Sequence, residues 1–339
     1  MIVVHDELYG DHLRGIPHPE SPQRVEVVAA FLSERGALSE SIGARDASDE
    51  EIERVHSPGY VETVRREVAA LAGHAGYLST GDTVVDERSM RVARRAAGGA
   101  IVAAETAYDR NTAVFAIVRP PGHHAESSRG MGFCVFNNAA IAARAIQQRT
   151  GARCLVVDFD YHHGNGTQAV SGGGLSYVST HAFPAYPGTG SADENHALSG
   201  GDAIVNVPLP PHAFGTEAFV ALWETLLPQV ARHVRPDMLV VSAGFDYAAG
   251  DPVGDLGVDV SAAAHLAALM ERVARTYCNG RIAYVLEGGY DTRVLAQSVA
   301  HVLDVHDSQR FAQSGADRSA IPARQEAIIQ KIDSELLHS

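Results

Sequence analysis

Apolar residues recur at helical spacing in three segments of the first hundred residues. They are 23–35, where Val25, Val28, Phe31 and Leu32 share one side, 60–71, and the alanine-rich 88–108. Residues 8–22 are rich in Gly, Pro and His and have no period, which predicts a loop. From residue 113 the texture changes to short, β-branched apolar runs at 113–118, 154–159, 175–179, 238–242 and 282–286. Helical patterns fill 137–149, 219–234, 261–277 and 293–305. Strands that are apolar on both faces and alternate with helices predict a parallel sheet covered on both sides. No Pro/Gly/Ser linker divides the chain, so the expectation is one α/β domain over residues 1–306. Residues 307–339 then form a polar stretch and a weakly amphipathic helix carrying Ile328, Ile329, Ile332 and Leu336, packed on the domain or trailing from it.

Composition narrows the function classes. The chain has 339 residues, of which 45% are apolar and 20% charged, enough to bury a sizeable core. Asp and Glu number 41 against 27 Lys and Arg, a net charge of −14 that repels a phosphate backbone and argues against direct nucleic-acid binding. No basic, apolar leader opens the chain and no run of about 18 apolar residues occurs, so a cytoplasmic protein without a membrane partner is expected. Cys134, Cys154 and Cys278 are too few and too scattered for a disulfide framework or a thiolate metal cage. The unusual count is 17 histidines.

In open parallel sheets ligands bind outside the carboxyl ends of the strands. Four predicted strands are followed there by polar clusters: Arg119 to His124, Asp158 to Gly166, Ser242 to Asp246, and Glu287 to Asp291. In an extended segment Asp158, Asp160 and His162 share a face at spacings of about 6 to 7 Å. Asp160 and His162 are then the natural metal pair, with Asp246 arriving from another strand end as third ligand. Three protein ligands leave a position open, the catalytic pattern for zinc. The oxygen-rich donor set would also accept Fe(II), Co(II) or Mn(II). His123 and His124 follow a stiff Pro-Pro-Gly turn and suit proton transfer. Tyr290, between glycine and aspartate, suits hydrogen-bond donation to an oxyanion. The competing reading is structural: helix-capping aspartates, core histidines and a packing tyrosine.

The strings Arg-Pro-Pro-Gly-His-His at 119–124, Gly-Phe-Cys-Val-Phe-Asn-Asn at 132–138, Asp-Phe-Asp-Tyr-His-His-Gly-Asn-Gly-Thr at 158–167, Ala-Gly-Phe-Asp at 243–246 and Glu-Gly-Gly-Tyr at 287–290 resemble the zinc-dependent histone deacetylase superfamily. That superfamily includes bacterial histone deacetylase-like amidohydrolases and acetylpolyamine amidohydrolases. The resemblance runs from about residue 15 to 305. It implies an arginase-like α/β domain with a central parallel sheet of about eight strands. It also implies zinc on Asp160, His162 and Asp246, His124 as general base and acid, His123 as its electrostatic partner, and Tyr290 as oxyanion donor. Asp158 is implied behind His123 and Asn165 behind His124. Many family members carry aspartate at the position of Asn165, so the resemblance there is to the class II-like branch. Phe133 and Tyr186 are implied as channel walls, Gly132 as its floor, Asp82 as a rim residue that grips substrate, and Arg24 as the lining of an internal acetate exit. A structural potassium is implied at Asp158, Asp160 and His162 with Ser179 and Thr180.

The reaction implied is hydrolysis of an acetyl or other acyl group from the side-chain amine of lysine, in a peptide or a small mimic. An acetylpolyamine amidohydrolase is the alternative enzyme. The acidic surface would favour its cationic substrates, but the resemblance argues against it: the segment between Gly81 and Arg119 is short where the polyamine branch carries a long dimerising insertion, and Val253 is apolar where polyamine-selective relatives place a gatekeeping glutamate. An inactive, metal-loaded acetyl-lysine-binding module is the alternative of another class, and the retained Tyr290 argues against that. Oligomeric state is left open, a homo-oligomer included.

Overall fold

The computed structural model of the chain describes residues 1–308 and 314–335. Its strands are β1 (Ile2–Val4), β2 (Gly76–Tyr77), β3 (Val84–Val85), β4 (Ala113–Ala116), β5 (Cys154–Asp158), β6 (Leu175–Ala182), β7 (His196–Leu198), β8 (Asp202–Leu209), β9 (Met238–Ala243) and β10 (Ile282–Leu286). Its helices are α1 (Gln23–Glu34), α2 (Asp49–Ile52), α3 (Pro58–Ala69), α4 (Ser89–Arg110), α5 (Asn138–Thr150), α6 (Asn165–Ala169), α7 (Thr216–Val234), α8 (Ala262–Tyr277), α9 (Thr292–Ser308) and α10 (Ala323–Glu335).

Eight strands form one sheet in the order β1-β4-β10-β9-β5-β6-β8-β7, and every pairing is parallel except β7 with β8. Every residue of β4, β5, β9 and β10 is buried, as a sheet covered on both faces requires. Helices α4 and α5 pack together over one side of these strands, while α1, α7, α8 and α9 form a connected second layer. A smaller apolar cluster built from Ile52, Tyr60, Val64, Val85, Ile101, Phe136 and Ile141 joins α2, α3 and the β2–β3 hairpin to α4 and α5. That cluster anchors the hairpin whose loop reaches the site described below.

The four strands followed by polar clusters, β4, β10, β9 and β5, are consecutive neighbours. Their carboxyl ends therefore lie side by side, although their residues are up to about 170 positions apart in the chain. Local signals fix where the flanking helices start and stop. Ser57 caps α3 with Pro58 at its first position, Asn137 caps α5, and α4 and α5 end on left-handed residues, Asn111 and Gly151.

Three strands of the sheet lie outside the apolar runs in the sequence. β1 has three residues, β7 is an antiparallel edge strand, and β8 carries Asp202, Asn206 and Pro208 among its apolar residues. Polar groups of β8 find tertiary partners: Asp202 accepts from Arg153 and the Gly174 N–H, and Asn206 donates to Gln168, although its own Oδ1 accepts no hydrogen bond. The segment expected as a loop, 8–22, opens with a short 3₁₀ turn at Glu7–Asp11 and is otherwise irregular. In α10, Ile329 and Ile332 join the main core and Gln325 donates to the Pro208 carbonyl, while Leu336 lies outside the described residues.

Candidate metal centre and cleft

At the end of β5 the chain stops being extended. The Asp158 carboxylate accepts the Asp160 N–H (3.2 Å) and the Asp160 carboxylate accepts the His162 N–H (2.8 Å). Each aspartate thus curls the backbone two residues onward. The expected ladder of three side chains on one face is corrected accordingly. Asp158 turns away from Asp160 and His162, its Oδ2 accepting from His123 (3.1 Å) and the Tyr177 hydroxyl (3.1 Å).

Asp160 and His162 meet Asp246, which follows β9, and all three are buried. One ligand atom from each lies within 4.8 Å of the others. His162 Nδ1 is 3.2 Å from Asp160 Oδ1 and 3.0 Å from Asp246 Oδ2. Tetrahedral bonds of about 2.0 Å place ligand atoms about 3.3 Å apart, so these spacings suit a shared small divalent ion. Asp246 Oδ2 is buried without a hydrogen bond, and burial together with the Asp160 charge pushes the Asp246 carboxyl up to about 6. The opposing pull of His162 does not offset them, which leaves a carboxylate that a further positive charge would stabilise. The remaining oxygens are held by the scaffold: Asp160 Oδ2 accepts from the Gly288 N–H (2.8 Å) and Asp246 Oδ1 from the Tyr161 N–H (2.9 Å). The residues present fit a divalent metal, and nothing in a two-oxygen, one-nitrogen set selects zinc over iron or cobalt.

The two histidines after β4 have opposite electrostatics. His123 is disfavoured as a cation by burial, but Asp160 and Asp158 outweigh that and raise it to about 10. His124 is held well below the ordinary histidine range, by burial first and then by the neighbouring His123 and His162. Its Nδ1 is 2.9 Å from Asn165 Oδ1, so a neutral ring carries its proton there and Nε2 keeps a lone pair. The turn that presents both rings is pinned by Glu287, whose Oε2 accepts the Gly122 N–H (2.6 Å) and the His123 N–H (3.2 Å).

A cleft of about 510 Å³ opens over this cluster, lined by Tyr77, Asp82, His124, Gly132, Phe133, Tyr161, His162, Ala185, Tyr186, Val253 and Tyr290. Tyr186 stands edge-on to His124 (centroids 5.1 Å apart) and Phe133 edge-on to Tyr290 (5.9 Å). Gly132 passes so close to His124 that a Cβ would sit 2.3 Å from its ring. Asp82 is exposed at the cleft: its Oδ1 accepts the Gly132 N–H (2.8 Å) and its Oδ2 the Tyr186 hydroxyl (2.9 Å). In this structure it therefore ties the floor of the cleft to one wall. The Tyr290 hydroxyl is kept protonated by burial, which outweighs the opposing pull of Arg24, whose guanidinium carbon lies 4.9 Å from the ring centre.

Arg24 belongs to a fully buried ion cluster. Glu20 Oε1 accepts from Arg24 (2.9 Å) and from Arg119 (2.7 Å), and Arg24 also donates to the Gly289 (2.7 Å) and Glu287 carbonyls. Ser179 and Thr180 lie on β6, where Ser179 is in register with Asp158, and Thr180 Oγ1 is buried without a partner. Glu20, Arg119 and Glu287 are participants to which the motifs assign no role. Glu287 directly follows β10 and Arg119 lies three residues beyond β4, so both are visible by position. Glu20 is not, because it lies in an aperiodic loop.

Fold and donor set together define a class: a parallel α/β sheet with a three-ligand, buried metal-type cluster at its strand ends, beneath a narrow aromatic cleft. Comparison with known proteins gives the family. A model of the histone deacetylase domain matches residues 18–306, and the chain belongs to the histone deacetylase family. It is 36% identical over 313 residues to histone deacetylase 15 of Arabidopsis thaliana, covering 90% of this chain and 55% of that protein. It is 34% identical over 296 residues to a probable deacetylase of Archaeoglobus fulgidus, covering 85% of this chain and 80% of the other. The chain thus spans about half the length of the plant relative. The crystal structure of the HDA15 HD domain superposes with a TM-score of 0.83 at 33% identity, covering 98% of this chain and 96% of that one.

Proposed function

We propose that this protein is a metal-dependent deacylase that hydrolyses the side-chain amide of acetyl-lysine, or of a similar N-acetylated amine, in peptides or small molecules. The observation that carries the reading is a buried three-donor cluster, with Asp246 and Asp160 oxygens 3.0 and 3.2 Å from His162 Nδ1, beside a neutral His124 and the Tyr290 phenol in the same cleft. A divalent ion held by Asp160, His162 and Asp246, zinc being the family norm, would supply Lewis acidity toward the amide carbonyl and the attacking water. His124 Nε2 takes the proton from that water. Tyr290 donates its phenolic hydrogen to the oxygen on which negative charge develops. Cationic His123 supplies positive charge beside His124 while Asp158 holds its ring. His124 then returns the proton to the departing amine. The aromatic walls Phe133 and Tyr186 embrace an apolar methylene chain and exclude water from the reacting amide.

The potassium site around Asp158, Asp160 and His162 with Ser179 and Thr180 is part of the same proposal, supported by the unpartnered Thr180 hydroxyl. So is a substrate that is neither nucleic acid nor membrane. A polyamine substrate is less supported, because Val253 and Tyr77 at the cleft are uncharged and Asp82 already spends both oxygens on protein donors. The test is turnover of an acetyl-lysine peptide by His124→Ala with metal content determined on the same sample. The proposal expects a loss of about 10²-fold or more with metal retained, and wild-type turnover by the variant would refute it.

A further inference from the structure

One contact outside these roles bears on the reacting histidine. Asn165 meets His124 through an amide, and an amide, unlike a carboxylate, has a right and a wrong way round. The Asn165 Nδ2 is surrounded by acceptors: Glu126 Oε1 at 2.8 Å, the His124 carbonyl at 3.4 Å and Met131 Sδ at 3.4 Å. A carboxylate can only accept. Flipping the amide would set Asn165 Oδ1 against the Glu126 carboxylate and offer N–H donors to His124 Nδ1, forcing the ring proton to Nε2.

We propose that Glu126 is a positioning residue for His124. Its carboxylate locks the Asn165 amide so that His124 carries its proton on Nδ1 and offers Nε2 to the cleft. The inference rests on the reading of His124 as general base. Glu126 is itself built into place. Its N–H donates to the Arg129 carbonyl (2.9 Å) across a tight turn, and the Ser57 N–H donates to the Ser127 carbonyl within that turn (2.8 Å). His56, buried and lowered by that burial to about 4, donates from Nδ1 to the Glu126 carbonyl (2.9 Å) and accepts the Asn137 N–H at Nε2 (2.9 Å). A neutral His56 is the only form that can do both, so the turn is fixed from the α3 side and from the start of α5. The carboxylate is half-buried, with Oε1 close enough to the amide to orient it.

The test compares Glu126→Ala and Glu126→Gln in the metal-loaded full chain by two readouts. One is long-range ¹H–¹⁵N correlation of the His124 ring in ¹⁵N-histidine-labelled protein, assigned by its loss in His124→Ala. The other is kcat and KM on an acetyl-lysine peptide. Wild type is expected to show the Nδ1–H tautomer. Glu126→Ala should mix in the Nε2–H tautomer and lower kcat at least tenfold with KM within twofold. Glu126→Gln, which can accept the same bond through Oε1, should recover kcat to within threefold of wild type. In an Asn165→Ala background Glu126→Ala should cost less than twofold. An unchanged tautomer in Glu126→Ala, or a loss that adds in full on Asn165→Ala, overturns the proposal. Should the wild type fail to cleave acetyl-lysine while the tautomer still follows Glu126, the deacylase reading fails and the positioning role stands.

Discussion

Tyr290 can stabilise an oxyanion only while its phenol keeps its proton, and burial beside Asp246 and Asp160 ensures that despite Arg24. Tyr290→Phe keeps the ring and its edge contact with Phe133 and removes one donor. It should lower kcat by about 10²- to 10³-fold and leave KM nearly unchanged, which steady-state kinetics on an acetyl-lysine peptide would read. His124 supplies a second expectation. A base whose pKa is lowered stays neutral at pH values where an ordinary histidine has taken up a proton. The acid limb of kcat/KM should therefore lie below pH 6.5, the ordinary histidine value, and an acid limb above it would remove His124 as the base. At this scale the motif residues were legible, since chemistry-bearing side chains sit next to strand ends. The orientation of the Asn165 amide was not, because it depends on Glu126, on Met131 and on a turn closed by His56.

The strand ends hold the metal-type cluster through backbone that comes too close for any side chain. A Cβ on Gly244 would lie 1.8 Å from Asp160 Oδ2, and one on Gly288 would lie 2.5 Å from Asp246 Oδ2 and 2.6 Å from Asp160 Oδ2. Gly288→Ala must therefore displace both carboxylates. Its zinc content after dialysis should fall well below one ion per chain while the far-ultraviolet circular dichroism stays that of wild type. Full metal occupancy would show that the carboxylates can move without loss. Strands β4, β5, β9 and β10 were readable as apolar runs because both of their faces are buried. β8 was not, because its Asp202, Asn206 and Pro208 break the apolar pattern, and only tertiary partners reveal why a strand tolerates them. The curl after Asp158 likewise has no periodic signature. It comes from aspartates bonding their own backbone, which an extended-ladder reading overlooks.

Across the molecule, the N-terminal segment is locked to the strand ends by Glu20, Arg24 and Arg119. Burial by itself would raise the Glu20 carboxyl, but Arg119 and Arg24 outweigh it and hold it below its ordinary value of 4.5. A carboxyl depressed on folding contributes stability that is fully present above pH 4.5 and is lost as the pH falls through the lowered value. Glu20→Gln leaves two buried guanidinium groups without their shared anion. Denaturant unfolding at neutral pH should show a loss of about 3 to 5 kcal/mol, and the variant should lose less of its remaining stability than wild type on acidification below pH 4. Unchanged stability would mean that the carbonyls around Arg24 and Arg119 suffice. The order of the sheet explains why distant motifs form one site, since β4, β10, β9 and β5 are neighbours. That order could not be read from periodicity, which marks strands but not which strand lies beside which.

The proposed requirement for a divalent ion on Asp160, His162 and Asp246 in amide hydrolysis has a direct consequence for metal-free protein. It is tested most directly by titrating zinc into chelator-stripped protein while following acetyl-lysine peptide cleavage, with Asp246→Asn titrated in parallel. The stripped protein should show no turnover, activity should rise linearly and saturate at one ion per chain, and Asp246→Asn should recover little. Turnover that survives stripping, or recovery by Asp246→Asn at the same stoichiometry, would contradict it.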